Sequence, residues 1–209
     1  MEGKKNNGFF VKIILLGEMH VGKTSLIKVY LDESKFNPLE ITSGQPSQSY
    51  KSLEINKTEL NICLWDTMGQ EKFRAVTKNF IKDSNIVILV YDIANRASFL
   101  ELNFWLNASR EELQNEVIFG VVGNKVDLFN NCEVEKEEGE EYAKNIGALF
   151  TEASAKENPI GFRNFINQLL EKLLSDSKIV QKLQIIVNEK KKNIQLSEDH
   201  PYGKKKKCC

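Results

Sequence analysis

The run Gly17-Glu18-Met19-His20-Val21-Gly22-Lys23-Thr24 constrains this chain more than any other stretch. It fits the pattern G-x-x-x-x-G-K-[ST] at every fixed position. Phe9-Phe10-Val11-Lys12-Ile13-Ile14-Leu15-Leu16 precedes it, an apolar, β-rich run that reads as a buried strand. Ser25-Leu26-Ile27-Lys28-Val29-Tyr30-Leu31 follows, and the spacing of Leu26, Ile27 and Tyr30 reads as a helix. Strand, glycine-rich loop and helix in this order make a phosphate cradle. The glycines let backbone N–H groups turn inward as an anion nest, and the helix N-terminus adds partial positive charge. Lys23 would reach the β- and γ-phosphates and the Thr24 hydroxyl would ligate Mg²⁺. Gly17, Glu18, Met19, His20, Val21, Gly22, Lys23, Thr24 and Ser25 together form the expected nucleotide-binding loop.

The segment from Asp32 to Pro46 carries two prolines, a glycine and several polar residues, so it reads as a loop. Its length suits a functional loop. Gln48–Ile55 and Glu59–Trp65 alternate polar and apolar residues about Asn56-Lys57-Thr58, the signature of a β-hairpin with an edge strand. The second strand ends at Asp66-Thr67-Met68-Gly69-Gln70-Glu71. An Asp leaving an apolar strand is the arrangement that places a carboxylate near the loop's Mg²⁺. Gly69 would let its N–H approach a γ-phosphate, and Gln70 has the chemistry to orient an attacking water. A plain D-T-x-G turn with a surface Gln fits these residues equally well.

Asn85–Asp92 and Val117–Gly123 read as buried strands, Ala97–Glu112 as a helix with Phe99, Leu102, Leu106 and Leu113 on one stripe. Asn124-Lys125-Val126-Asp127 leaves the carboxyl end of its strand, where open parallel sheets bind ligands. A carboxylate at Asp127 can accept from N1–H and the 2-amino group of guanine; adenine lacks both donors. Glu135–Gly147 reads as an amphipathic helix with Tyr142, Ala143 and Ile146 inward. Ala148–Ala153 is a short strand opening onto Ser154-Ala155-Lys156, whose backbone could bond guanine O6. Ile160–Leu174 closes the domain as a helix. Alternating strands and helices predict a mostly parallel six-stranded α/β sheet with helices on both faces.

The 209 residues suit one α/β domain, residues 9–174, with an appendage, residues 175–209. The net charge is zero, but the appendage carries nine lysines against four acidic residues. A basic tail on an acidic body argues against a nucleic-acid binder and marks the tail as a separate device. Ile179–Val187 reads as extra helix, either a partner-binding stripe or a continuation packed on its own domain; polar, Lys-rich Asn188–Lys207 reads as disordered. The four cysteines show no metal spacing and no disulfide framework. No signal-peptide core, Met-Gly myristoylation start or membrane-length apolar run appears, so a cytosolic setting is expected.

Five ordered elements resemble the motifs of the Ras superfamily: Gly17–Thr24, Thr42-Ser43-Gly44, Trp65–Glu71, Asn124–Asp127 and Glu152–Lys156. Trp65 before D-T-x-G-Q-E, Lys72-Phe73 after it and the terminal Cys208-Cys209 resemble the Rab family most closely. The resemblance implies a small G domain of the P-loop NTPase fold, binding GTP or GDP with Mg²⁺ and hydrolysing GTP in vesicle trafficking. It implies that Thr42 closes on Mg²⁺, that Phe36 covers the guanine, that Asp66 holds a Mg²⁺-bound water, and that Lys125 lays its stem along the base. It implies geranylgeranyl groups on Cys208 and Cys209, the cytoplasmic face of an intracellular membrane with a cytosolic pool, and a monomer. Exchange factor, GTPase-activating protein and effectors would meet residues 36–46 and 66–80.

Four departures stand out. Met19 and His20 replace small loop residues, Met68 replaces alanine, and Gly44-Gln45-Pro46 departs from the usual stretch after the switch threonine. The first three put efficient hydrolysis in question, so a hydrolysis-impaired nucleotide switch or scaffold stands as the rival reading. A P-loop ATPase or kinase is the other rival, and Asp127 argues against it.

Overall fold

Alternate residues of β1 (Phe9–Leu16) feed two separate cores, which makes this strand the centre of the fold. The computed structural model describes residues 8–31, 47–67, 79–113 and 116–198. Val11, Ile13 and Leu15 point to one face of the sheet, and Ile14 and Leu16 to the other. The period of two along a strand covered on both sides requires this division. β4 (Ile86–Asp92) repeats it: Ile86, Ile88 and Val90 join the first core, Val87, Leu89 and Tyr91 the second.

The sheet has six strands in the order β2-β3-β1-β4-β5-β6, with β2 (Ser47–Ile55), β3 (Thr58–Asp66), β5 (Ile118–Asn124) and β6 (Leu149–Ala153). β2 is the antiparallel edge and every other pairing is parallel. The β2–β3 hairpin closes through Asn56 and Lys57, both in the left-handed region at φ 50° and 64°. Two such residues match the right-handed twist of the strands they join.

Helices cover both faces, as the sequence predicts. α1 (Lys23–Leu31) lies on the first, α2 (Arg96–Leu100), α3 (Leu102–Glu112) and α4 (Lys136–Ile146) on the second. α5 (Pro159–Ser175) returns to the first, burying Phe162, Phe165, Ile166, Leu169, Leu170 and Leu173. The helix expected over Ala97–Glu112 is two segments. Glu101, at ψ −9°, closes the first turn of chain with its N–H on Ala97 O and Phe99 O before α3 begins. Leu102 and Leu106 are buried as their spacing requires.

α6 (Ser177–Glu198) corrects the expectation that disordered chain begins at Asn188. No Gly or Pro interrupts this stretch, and Lys, Glu, Gln and Leu are good helix formers. Asp176 starts the helix, its Oδ1 accepting from Lys178 N at 2.9 Å and Ile179 N at 3.3 Å. Ile179 and Leu183 are buried in the first core, so the reading of this stretch as packed on its own domain holds for them. Ile185 stays exposed.

Candidate nucleotide site

Parallel registers gather the expected functional residues at one edge of the sheet. Leu15 pairs with Asp66, Asp92 with Asn124 and Asn124 with Ala153, so the ends of β1, β3, β4, β5 and β6 form a row. The loop after β1 fits there only with its glycines. A Cβ on Gly17, at φ +145°, would lie 2.1 Å from Val90 O. A Cβ on Gly22, at φ +97°, would lie 2.3 Å from Asn124 Nδ2. That amide donates to Val21 O at 2.7 Å and so fixes the loop against β5.

Lys23 opens α1 and is 3% exposed. Its Nζ donates to Gly17 O and Glu18 O, each at 2.8 Å. Burial pushes its ammonium down to about 8, with the Asp66 and Glu18 carboxylates pulling the other way. Ser25 follows in the first turn of α1. Met19 and His20 are exposed, and His20 sits at φ 66°, in the left-handed region that favours glycine.

Thr24 Oγ1 donates to Asp66 Oδ2. A hydroxyl and a buried carboxylate meeting at the loop form the hard oxygen set that suits Mg²⁺. Thr67 Oγ1 donates to Leu15 O at 2.7 Å, tying the start of the D-T-x-G segment to β1.

At the far end of the row, Asn124 is 1% exposed and its Oδ1 has no partner among the described residues. Lys125 takes φ 66°, and its Nζ pairs with Asp92 Oδ2 at 2.6 Å. Asp127 Oδ1 accepts from Ser154 Oγ at 2.6 Å, and Lys156 Nζ stands 3.9 Å from its Oδ2. Ala155 is buried between those partners in sequence. The site therefore joins a buried ammonium, an oxygen pair for a hard cation, and a fixed carboxylate able to read hydrogen-bond donors of a base.

Gly17 to Ser25, Asp66, Asn124, Lys125, Asp127 and Ser154 to Lys156 all lie on this edge. Phe36, Thr42, Met68, Gly69, Gln70, Cys208 and Cys209 lie outside the described residues. Sequence reasoning missed three groups. Asp92 ends an apolar strand, the same signal that singles out Asp66. Trp105, whose Nε1 donates to Glu18 Oε1 at 3.2 Å, gave no local signal of a site role, and Thr67 lies in the D-T-x-G motif without a role assigned to it.

A model of the Ras family matches residues 12–175. The chain is 35% identical to the Ras-related protein Rab-21 of Mus musculus over 202 residues, 95% of this chain and 90% of that protein. It is 40% identical over 168 residues to Rab-21 of Bos taurus, covering 80% of this chain and 75% of that protein. Rab-21 of Homo sapiens also matches at 40% over 168 residues, 80% of this chain and 74% of that protein. A Ras-family match spanning the sheet and the edge just described, with relatives at this identity, decides the matter: the chain belongs to the Rab family of Ras-superfamily small GTPases, the GTP-hydrolysing switches of membrane trafficking.

Proposed function

We propose that the row of strand ends binds GTP and GDP and that the chain attaches reversibly to a membrane through its C-terminus. The observation that carries the nucleotide reading is the pairing of Ser154 with Asp127 on the same edge as Lys23. It aims a carboxylate where guanine N1–H and the 2-amino group would lie. Asn124 and the backbone of Ser154, Ala155 and Lys156 complete the base pocket. Lys125, held by Asp92, supports the flat face of the base.

Lys23 exchanges its two carbonyl partners for β- and γ-phosphate oxygens, and the N–H groups of the Gly17–Ser25 loop receive the rest of the charge. Thr24, Asp66 through a water, and Thr42 would hold Mg²⁺, which neutralises phosphate charge when bound. Gly69 would bond the γ-phosphate, Gln70 would orient the attacking water, and Phe36 would cover the base. Residues 36–46 and 66–80 are the surfaces proposed for exchange factor, activating protein and effectors. The bulk of Met19 and His20 in the loop supports slow hydrolysis. Among the described residues, no helix is long and apolar enough to cross a membrane. Prenyl groups on Cys208 and Cys209 are the proposed anchor, at the cytoplasmic face of an intracellular membrane, with a cytosolic pool and a monomeric protein.

Competition against fluorescent GDP tests the site. GTP and GDP should displace it and ATP should not. Equal displacement by ATP would defeat the base reading. Single-turnover hydrolysis with pure protein separates a slow GTPase from a switch that does not turn over.

A further inference from the structure

Glu18 is an acidic side chain in a loop built to receive an anion, and something must keep its carboxylate out of the anion's place. The side chain is half-buried, and Glu18 O accepts from the same Lys23 Nζ that would meet the phosphates. Trp105 Nε1 donates to Glu18 Oε1 at 3.2 Å from the second core, across 87 residues of sequence. The donor is rigid. Trp105 is 1% exposed, its ring meets Phe104 edge-on at 5.1 Å, and its backbone O accepts from Ser109 Oγ at 2.8 Å. An indole N–H is a donor only, so its natural partner here is the carboxylate.

We propose that Trp105 is a positioning residue for nucleotide binding: it latches the Glu18 carboxylate towards α3 and away from the phosphate cradle. This rests on the reading of the loop as the phosphate site. With the latch in place, the Lys23 ammonium is kept for the incoming phosphate. Without it, the carboxylate is held by one contact fewer, and competes for that ammonium and repels the phosphate at short range. The harm is therefore electrostatic rather than a loss of packing. It should disappear when Glu18 loses its charge, and it should weaken as salt screens it.

Trp105→Phe keeps an aromatic ring in the core and removes the N–H. GDP dissociation should accelerate roughly tenfold, the scale of a lost hydrogen bond to a charged group. Adding Glu18→Gln should slow dissociation again, and raising the ionic strength should shrink the defect of the single variant. An unchanged dissociation rate in Trp105→Phe overturns the latch. So does a defect of equal size in the double variant and at high salt, which would mean packing alone. Should Trp105→Phe fail to fold, Glu18→Gln by itself is read by NMR. The Trp105 indole N–H resonance, assigned against that of Trp65, should move upfield when its acceptor changes from carboxylate to amide. An unmoved resonance also overturns the latch. Lys23→Ala keeps the two ideas apart. If it retains GDP normally, the phosphate-site reading fails. If it loses GDP while Trp105→Phe keeps it, only the latch fails.

Discussion

Ser154 Oγ donates to Asp127 Oδ1 at 2.6 Å, while the same oxygen accepts from the backbone N–H groups of Lys156 and Glu157 at 3.2 and 3.0 Å. Two N–H donors on the hydroxyl oxygen leave its proton for the carboxylate. Ser154 is fully buried, so this orientation is fixed before any ligand arrives. One short hydrogen bond thus joins the turn after β6 to the turn after β5.

Ser154→Ala removes that bond and should weaken GDP binding about tenfold, the scale of a hydrogen bond to a charged group. Asp127→Asn should do something different in kind. Its amide matches the 2-oxo group of xanthine, so xanthosine diphosphate should outcompete GDP. Titration of both variants with both nucleotides checks this pair. Unchanged GDP affinity in Asp127→Asn would remove Asp127 from the base pocket.

Gly22→Ala should damage the site through geometry alone. The new Cβ would lie 2.3 Å from Asn124 Nδ2, an amide held by its bond to Val21 O. The backbone is at φ +97°, where an L side chain is strained. The folded state should lose about 1–3 kcal/mol, and GDP binding should fall with it. A thermal melt and a GDP titration read the two effects separately. A melting temperature equal to wild type would mean that loop and amide move apart freely.

The sequence showed most of the fold because its signals are local. Alternation in the hairpin, apolar runs in β4 and β5, and the buried stripe from Phe162 to Leu173 each specify an element without help from the rest. The described motif residues are legible for the same reason, since they lie at or just past strand ends. The contacts that hold them were not. Asp92 and Lys125 are 33 positions apart, and Trp105 reaches Glu18 across 87. Neither pairing leaves a trace in spacing. The helix over Ile179–Val187 is legible, but its continuation from Asn188 to Glu198 is not, because its lysines suggest chain too polar to order. Among its described side chains, Ile179 and Leu183 are the deeply buried ones.

His20 offers a separate handle on the loop. A β-carbon at φ 66° costs about 1–2 kcal/mol, which His20→Gly should recover in the folded state apart from glycine's greater chain entropy. The wider change Met19→Ser, His20→Gly and Met68→Ala should accelerate intrinsic GTP hydrolysis by clearing space for the transition state. Single-turnover rates of wild type and triple variant decide it. Equal rates would show that the bulky side chains already lie clear of the reacting phosphate.

The point where the tail leaves the folded domain limits the reach of a C-terminal anchor. Ile179 and Leu183 dock α6 on the first core, and Lys182 Nζ pairs with Glu116 Oε2 at 3.2 Å. From Glu198 to Cys209 the chain can span at most about 40 Å fully extended, much less than from Ser175 if α6 were undocked and unfolded. Leu183→Asp places a carboxylate in that apolar contact and should cost about 2–4 kcal/mol, releasing α6. The released helix should become sensitive to protease near residues 176–184, with the sheet still folded and the share of protein in the membrane fraction unchanged. Cys208→Ser with Cys209→Ser should act in the opposite way. α6 stays docked and protected, and the protein moves to the soluble fraction, because stable anchoring takes two lipid chains or one chain with a basic patch. Lys204, Lys205, Lys206 and Lys207 supply such a patch, about 1 kcal/mol each beside an anionic leaflet, but screened by salt. If the proposed prenyl anchor is present, replacing these four should therefore leave the protein membrane-bound and change which membrane it prefers. Fractionation that finds the double-serine protein still in the membrane pellet would sink the lipid anchor and favour a protein-mediated tether.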